Sequence, residues 1–316
     1  MITLAVVVAV FGAGAIVTLI GSWLIERAHP PRGRFIDIDG QRQHVVELGR
    51  GAAGRPHEPP VILLHGAGCN LEDMRLALGE PLTARQRVIF IDRPGQGWSE
   101  RPAGQGASPT DQAAILRKLL DRLSVERAVL VGHSWGGTLA LTFALDHPDR
   151  VAGLVLLAPP THPRLGRMTA LYTILGAPFV GWLFAHTLML PFAAAALGPG
   201  VRAPFRPQGP PDHYLKRAAA FLLLRPAMFL ANARDIAGLQ KFLAKQMARY
   251  GELAAPTILI TGDRDPVVPP PQHAMALAAA VPAIKLIVQP NVGHMAHHAD
   301  PDRVIAAIDE QMENCE

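Results

Sequence analysis

The sequence predicts an α/β protein with a mostly parallel sheet, helices on both faces and a helical insertion. Short aliphatic runs alternate with stretches of helical periodicity before and after the insertion, and a hairpin-like pair of runs precedes this alternation. The insertion itself is apolar and helical in pattern. We therefore expect five segments: an N-terminal transmembrane anchor (1–26), a tether (27–33), the first part of the core (34–160), a helical cap (161–252) and the second part of the core (253–316).

The composition indicates a globular protein and disfavours several kinds of site. The 316 residues are 49% hydrophobic and 18% charged, which suffices for a sizeable core. The formal charge is +4, but no dense basic run predicts a nucleic-acid partner. Cys69 and Cys315 form neither a C-x-x-C pair nor a metal-ligand pattern, and no glycine-rich turn matches a phosphate-binding motif. We expect no metal and no cofactor.

The first residues predict a membrane helix. Ile2 to Ile25 carries no charged side chain and spans about 36 Å as a helix, more than a hydrocarbon core of about 30 Å. A cleaved signal peptide or a buried helix of a soluble protein are the alternatives. Arg27, Arg32 and Arg34 follow the run, so the positive-inside tendency favours a cytoplasmic position for the globular part of the chain.

The elements before the cap follow in order. Two alternating runs, 34–39 and 43–48, meet at Asp39-Gly40 and predict a hairpin. Thr110 is the expected N-cap of a helix with an apolar stripe. A second helix ends near His147. The buried strands expected here are 61–64, 87–91, 128–131 and 151–157.

The cap and the second part of the core complete the alternation. The cap is strongly apolar from Leu171 to Leu197, and the interval 198–211 with its five prolines is expected to interrupt its helices. Beyond it we expect strands at 257–261 and 283–288 and helices at 272–281 and 301–312.

One strand ends in a turn suited to a nucleophile. The sequence there is Gly132-His133-Ser134-Trp135-Gly136, with Gly137 next. A sharp strand-to-helix turn crowds the positions two before and two after its central residue, and glycine fits both. By itself the pentapeptide is equally typical of a βα turn that only packs a helix on a sheet.

A serine nucleophile needs a histidine base and a carboxylate that orients it. Such groups are expected where parallel strands end, because ligands gather at that edge of an α/β sheet. Asp263 and Asp265 follow one strand after the cap, and His294 follows the next. The alternatives for the base are His297 and His298.

Together these motifs resemble the α/β-hydrolase superfamily, in its serine-nucleophile, cap-bearing branch similar to esterases and lipases. The resemblance covers about residues 35 to 312 outside the cap and rests on the ordered motifs His65-Gly66-Ala67-Gly68, Asp92-Arg93-Pro94-Gly95, Gly132 to Gly137, Gly262-Asp263-Arg264-Asp265 and Gly293-His294. It implies an eight-stranded sheet, a mobile cap, and a triad of Ser134, Asp265 and His294, with Asp263 as a turn residue. Epoxide hydrolases and haloalkane dehalogenases of the superfamily attack with an aspartate where this chain has Ser134, so those reactions are not expected.

The resemblance also implies an oxyanion hole made of two backbone N–H groups, those of Trp135 and Ala67. Gly68 is the alternative to Ala67. The Trp135 indole either lines the acyl pocket or packs in its helix, and His65 and His133 are expected to have structural roles.

The sequence thus predicts a membrane-anchored serine hydrolase that cleaves a carboxylic ester, with a hydrophobic small molecule as its substrate. The same triad serves thioesters, amides, peptides, carbon–carbon bonds, acyl transfer and cofactor-free perhydrolysis, which remain open. A non-catalytic binding scaffold is the alternative of another class, and the oligomeric state is not predicted.

Overall fold

The computed structural model describes residues 2–49, 58–101, 106–163 and 168–315. These residues form an eight-stranded sheet in the order β1-β2-β4-β3-β5-β6-β7-β8. Strands β1 and β2 form the expected antiparallel hairpin, β2 also runs antiparallel to β4, and every other neighbouring pair is parallel. The strands are β1 (Arg34–Ile38), β2 (Gln41–Leu48), β3 (Val61–Leu64), β4 (Val88–Ile91), β5 (Ala128–His133), β6 (Val151–Leu157), β7 (Thr257–Gly262) and β8 (Lys285–Gln289).

Helices cover both faces of this sheet, as predicted. On one face α2 and α12 bury their apolar sides, and on the other α3, α4 and α10 do so. Side chains of β3 alternate between the two layers: Ile62 and Leu64 point to one, Val61 and Leu63 to the other. The core helices are α2 (Leu71–Thr83), α3 (Pro109–Arg122), α4 (Trp135–Asp146), α10 (Ala274–Ala280), α11 (Ala296–Ala299) and α12 (Pro301–Glu313).

The segment between β6 and β7 forms only helices and turns in its described part, and we keep the name cap for it. Residues 164–167, at its start, lie outside the described residues. Its helices are α5 (Met168–Leu175), α6 (Pro178–Thr187), α7 (Met189–Phe205), α8 (Tyr214–Arg217) and α9 (Pro226–Gln246). The N-terminal helix α1 (Ile2–Ala28) packs along α6 and α7.

Two local expectations are wrong. Ser108, not Thr110, is the N-cap of α3: its hydroxyl accepts the Asp111 N–H, and Pro109 fills the first helical position, where no N–H is needed. The proline-rich interval 198–211 also does not end the helix at its first proline. The helix α7 continues through Pro199 and ends at Phe205. The expected break comes only after that, in the loop leading to α8.

Candidate active site

Ser134 lies on a sharp turn between β5 and α4. Its backbone has φ 52° and ψ −119°, a conformation that non-glycine residues rarely adopt and that is maintained at functional sites by the surrounding structure. A Cβ at Gly132 would lie 2.3 Å from the Gly136 carbonyl oxygen, and one at Gly136 would lie 2.3 Å from the Leu64 carbonyl oxygen. Both glycines are therefore required by close backbone contacts, which is the physical reason the motif has them.

The predicted acid and the predicted base meet after the ends of β7 and β8. The Nδ1 atom of His294 lies 2.7 Å from the Oδ2 atom of Asp265. The other oxygen of Asp265 accepts N–H bonds from Val267 and Val268 at 2.7 and 2.8 Å, which fixes the carboxylate. Asp263 is exposed and has no such contact among the described residues. In the tautomer whose Nδ1–H donates to Asp265, the Nε2 atom of His294 has a lone pair that can accept a proton.

His294 is brought beside the serine turn. The His133 ring lies 4.8 Å from the His294 ring between centroids, and its Nε2–H donates to the His294 carbonyl at 3.1 Å. The His294 N–H donates to the carbonyl of Pro204 in the cap at 3.0 Å. A Cβ at Gly293 would lie 2.0 Å from the Arg206 carbonyl oxygen. The end of α7 therefore holds the loop that carries the histidine.

The alternative histidines belong to another cluster. His297 and His298 place their Nε2 atoms 3.0 and 2.8 Å from the two oxygens of Asp73, and the Tyr214 hydroxyl donates to the same carboxylate at 2.6 Å. Burial opposes ionisation of Asp73, but the two imidazoles outweigh it and hold its pKa well below the usual range. Asp73 and the histidines have the donor types of a metal site. In this structure the Asp73 carboxylate and the two imidazoles bind one another. No motif in the sequence had pointed to Asp73.

The two candidates for the first oxyanion donor, Ala67 and Gly68, differ in their backbone contacts. The Gly68 N–H donates to the Asn232 side chain of the cap at 2.7 Å, so it is already used. Within the described ranges the N–H groups of Ala67 and Trp135 donate to no protein acceptor. Trp135 is the first residue of α4, where unpaired N–H groups and the helix dipole attract negative charge. Ala67 and Trp135 are thus the available pair.

The Trp135 indole packs and does not line an open pocket. It is 1% exposed, the Arg93 guanidinium lies 4.1 Å from its centroid, and its N–H donates to the Asp235 carbonyl at 3.3 Å. The Asp235 carboxylate, on α9, pairs with Arg93 at 3.0 Å and also with Arg101. This largely buried network joins the cap to the turn that carries Ser134, and sequence reasoning missed it because its members are far apart in the chain.

His65 has the structural role expected of it. Its Nδ1–H donates to the Gly66 carbonyl at 2.8 Å, and its Nε2 accepts the Arg93 backbone N–H at 3.1 Å. Both contacts suit the neutral ring. Burial, with the nearby Arg93 charge, lowers the pKa of His65 from 6.5 to about 4.

This lowered pKa makes the fold sensitive to acid. Between pH 6.5 and 4 the unfolded chain binds a proton at His65 and the folded chain does not, so the free energy of unfolding falls as the pH falls. The loss from this residue is about 3 kcal/mol over the window, because one pKa unit corresponds to about 1.4 kcal/mol. Urea unfolding of the detergent-solubilised protein at stepped pH measures it. His65→Gln is expected to have a shallower pH dependence of the free energy of unfolding than the wild type. Equal slopes for His65→Gln and wild type would contradict the assignment.

Comparisons with known proteins identify the fold family. Residues 59–301 match the family described as alpha/beta hydrolase fold. Haloalkane dehalogenase 2 of Mycobacterium tuberculosis is 29% identical over 293 residues, covering 90% of this chain and 96% of that protein. Epoxide hydrolase A of the same organism is 38% identical over 135 residues, or 42% of this chain and 40% of that protein.

A solved structure gives the same result at the level of the fold. A thermophilic esterase from Thermogutta terrifontis superposes with a TM-score of 0.66 at 24% identity, covering 90% of this chain and 99% of that one. The relatives thus carry the names of different hydrolases, while the family match extends over most of the core and the cap. The chain belongs to the α/β-hydrolase family.

Proposed function

We propose that this hydrolase cleaves a carboxylic ester through an acyl-enzyme formed on Ser134. The observation that carries the proposal is the buried Asp265–His294 pair beside a serine held in a strained turn. A serine hydroxyl is a weak nucleophile at neutral pH and needs a base with the correct tautomer. The Asp265 contact at Nδ1 supports the tautomer whose Nε2 accepts the serine proton.

The proposed reaction has two steps. Ser134 Oγ attacks the ester carbonyl while its proton goes to His294 Nε2, and the negative oxygen is bound by the N–H groups of Ala67 and Trp135. His294 then gives the proton to the departing alcohol, leaving Ser134 acylated. In the second step His294 takes a proton from water, the hydroxide attacks the acyl carbonyl, and the acid leaves as Ser134 regains its proton.

The presence of a serine at position 134 favours ester hydrolysis over dehalogenation and epoxide hydrolysis, the reactions in the names of the two relatives. Ring opening or dehalogenation in this superfamily begins with attack by an aspartate at the position that Ser134 occupies here. Ser134 is also only 8% exposed, beneath a cap whose helices are mostly apolar. A hydrophobic ester, admitted when the cap moves, fits this covered site, because ligand pockets are mainly apolar with a few polar groups that orient the substrate.

We further propose that α1 anchors the protein in a membrane. The segment Thr3–Ala28 is the one described helix long and apolar enough to cross a bilayer by itself. Near its C-terminal end Trp23 lies beneath the Arg27 guanidinium, 4.7 Å from the ring centroid, a pair suited to the interface between lipid and water. Arg27, Arg32 and Arg34 favour the cytoplasmic side for the catalytic domain.

The test measures kcat/KM of the full-length, detergent-solubilised protein on p-nitrophenyl esters from acetyl to palmitoyl. Ser134→Ala serves as the blank, and a fluorophosphonate probe reports the reactivity of Ser134 separately. We expect Ser134-dependent labelling and turnover that rises with acyl length. Turnover of short acyl chains only would contradict a hydrophobic substrate. Labelling without ester turnover would shift the reaction to an amide, a carbon–carbon bond or acyl transfer, and absence of labelling would contradict the nucleophile.

A further inference from the structure

The first part of the cap lacks charge although it is at the surface. Although 18% of the chain's residues are charged, none from Met168 to Val201 is Asp, Glu, Lys or Arg. We call this interval, which comprises α5, α6 and most of α7, the apolar wedge. A surface helix of a soluble protein normally has charged and polar residues opposite its apolar stripe. The apolar wedge has no such charged face.

Large apolar side chains cover its outer surface. Phe179 is 75% exposed and Phe192 67% exposed, and four further side chains are about half exposed: Leu171, Ile174, Val180 and Trp182. In the other described parts of the chain outside α1, exposed large apolar residues are scattered singly, as is usual for a protein surface. A concentrated apolar surface of this kind indicates a partner.

The position of α1 identifies that partner. A Cβ at Gly14 would lie 2.1 Å from the Thr187 carbonyl oxygen, and one at Gly21 would lie 2.3 Å from Leu190 Cδ2. Gly14 is midway along the span Thr3–Ala28, about 20 Å from its end at a rise of about 1.5 Å per residue. Half of a hydrocarbon core is about 15 Å. If α1 crosses a bilayer, the junction of α6 and α7 therefore lies near the bilayer centre.

Three polar side chains of the apolar wedge suit that depth, whereas the buried Thr169 hydroxyl has no partner among the described residues. Lipid offers no hydrogen-bond partners, so polar groups there must bind within the protein. Thr173 and Thr187 donate their hydroxyls to the carbonyls of Thr169 and Leu183 at 2.8 and 2.6 Å. His186 Nδ1–H donates to the Trp182 carbonyl at 2.8 Å. The helices α5 and α6 bend by 83° at their break, as helices do in a broken span or in a re-entrant segment that enters and leaves on one side.

We propose that the apolar wedge inserts into one leaflet of a lipid bilayer beside α1, so that this part of the cap is embedded in the membrane and the sheet stays outside it. The embedding depends on α1 spanning the bilayer and not on the reaction at Ser134. A consequence that does rest on the proposed function is that a hydrophobic ester reaches the site from the leaflet.

The test places single cysteines in the full-length protein with Cys69→Ala and Cys315→Ser as background. Phe179→Cys and Phe192→Cys report on the apolar wedge, and Leu19→Cys reports on α1. Met275→Cys reports on an exposed position of α10, which packs on the sheet outside the cap. Each variant is labelled with the environment-sensitive fluorophore NBD and reconstituted in phosphatidylcholine bilayers. Quenching is measured with a nitroxide on the lipid acyl chain and, separately, with aqueous iodide.

We expect labels at positions 179 and 192 to lose as much emission to the lipid nitroxide as the label at 19 and to be shielded from iodide. The label at 275 is expected to behave in the opposite way. Iodide quenching at 179 and 192 equal to that at 275 would overturn the proposal. Two other results would also overturn it: a label at 19 that the lipid nitroxide does not quench, and labels at 179 and 192 that neither quencher reaches, which would indicate that a second copy covers the surface.

Discussion

Ser134→Ala is expected to lower kcat for ester hydrolysis by about 10⁴-fold or more, because the variant keeps the oxyanion donors but has no nucleophile. The melting temperature is expected to stay close to that of the wild type. The substitution removes only the Oγ atom, and alanine occupies the same backbone conformation with the same Cβ. Steady-state kinetics with one p-nitrophenyl ester and thermal unfolding by circular dichroism measure the two quantities.

The chain offers a matched control in Ser124. This serine also has a positive φ, 53°, but it is exposed and lies in the turn between α3 and β5, at the opposite end of β5 from Ser134. Ser124→Ala should leave kcat unchanged. Wild-type turnover in Ser134→Ala would refute the acyl-enzyme mechanism, whereas a large loss in both variants would point to a general effect of altering such turns.

Asp265→Asn is expected to lower kcat by about 10³- to 10⁴-fold, since the amide favours the wrong tautomer of the histidine. The asparagine oxygen can still accept the N–H groups of Val267 and Val268, so its NH₂ faces His294 Nδ1. A neutral ring that accepts there carries its proton on Nε2 and cannot take the proton of Ser134. The loss of the carboxylate also removes the charge that stabilises the imidazolium.

Asp263→Asn is the control, in the same turn and with the same chemical change. Asp263 is exposed, and its backbone N–H, which the substitution keeps, donates to the Gln289 carbonyl at 3.0 Å. Its kcat should stay within about twofold of the wild type, as surface substitutions have small effects. Equal losses in the two variants, or the larger loss in Asp263→Asn, would contradict the proposed acid.

The architecture and the strained turn were readable from sequence because their causes are local. The runs Val61–Leu64 and Val151–Leu157 are continuous aliphatic segments of strand length, and the structure begins and ends both strands at these residues. Ser134 was marked by the glycines on either side, and those glycines are explained by contacts within the same turn and with the adjacent strand. The N-cap of α3 was misplaced by two residues, since Ser108 and Thr110 are both good caps and only the position of Pro109 separates them.

The tertiary structure alone decided which groups meet across long intervals of sequence. Asp263 and Asp265 have the same side chain; the family resemblance favoured the second, and the fold shows the contact that it makes with His294. The Gly68 N–H is used by Asn232, and Asp73 binds two histidines more than 200 positions further on. Local sequence patterns encode backbone geometry, but the partner of a buried polar group is set by how separate elements pack, because burial without a partner is costly.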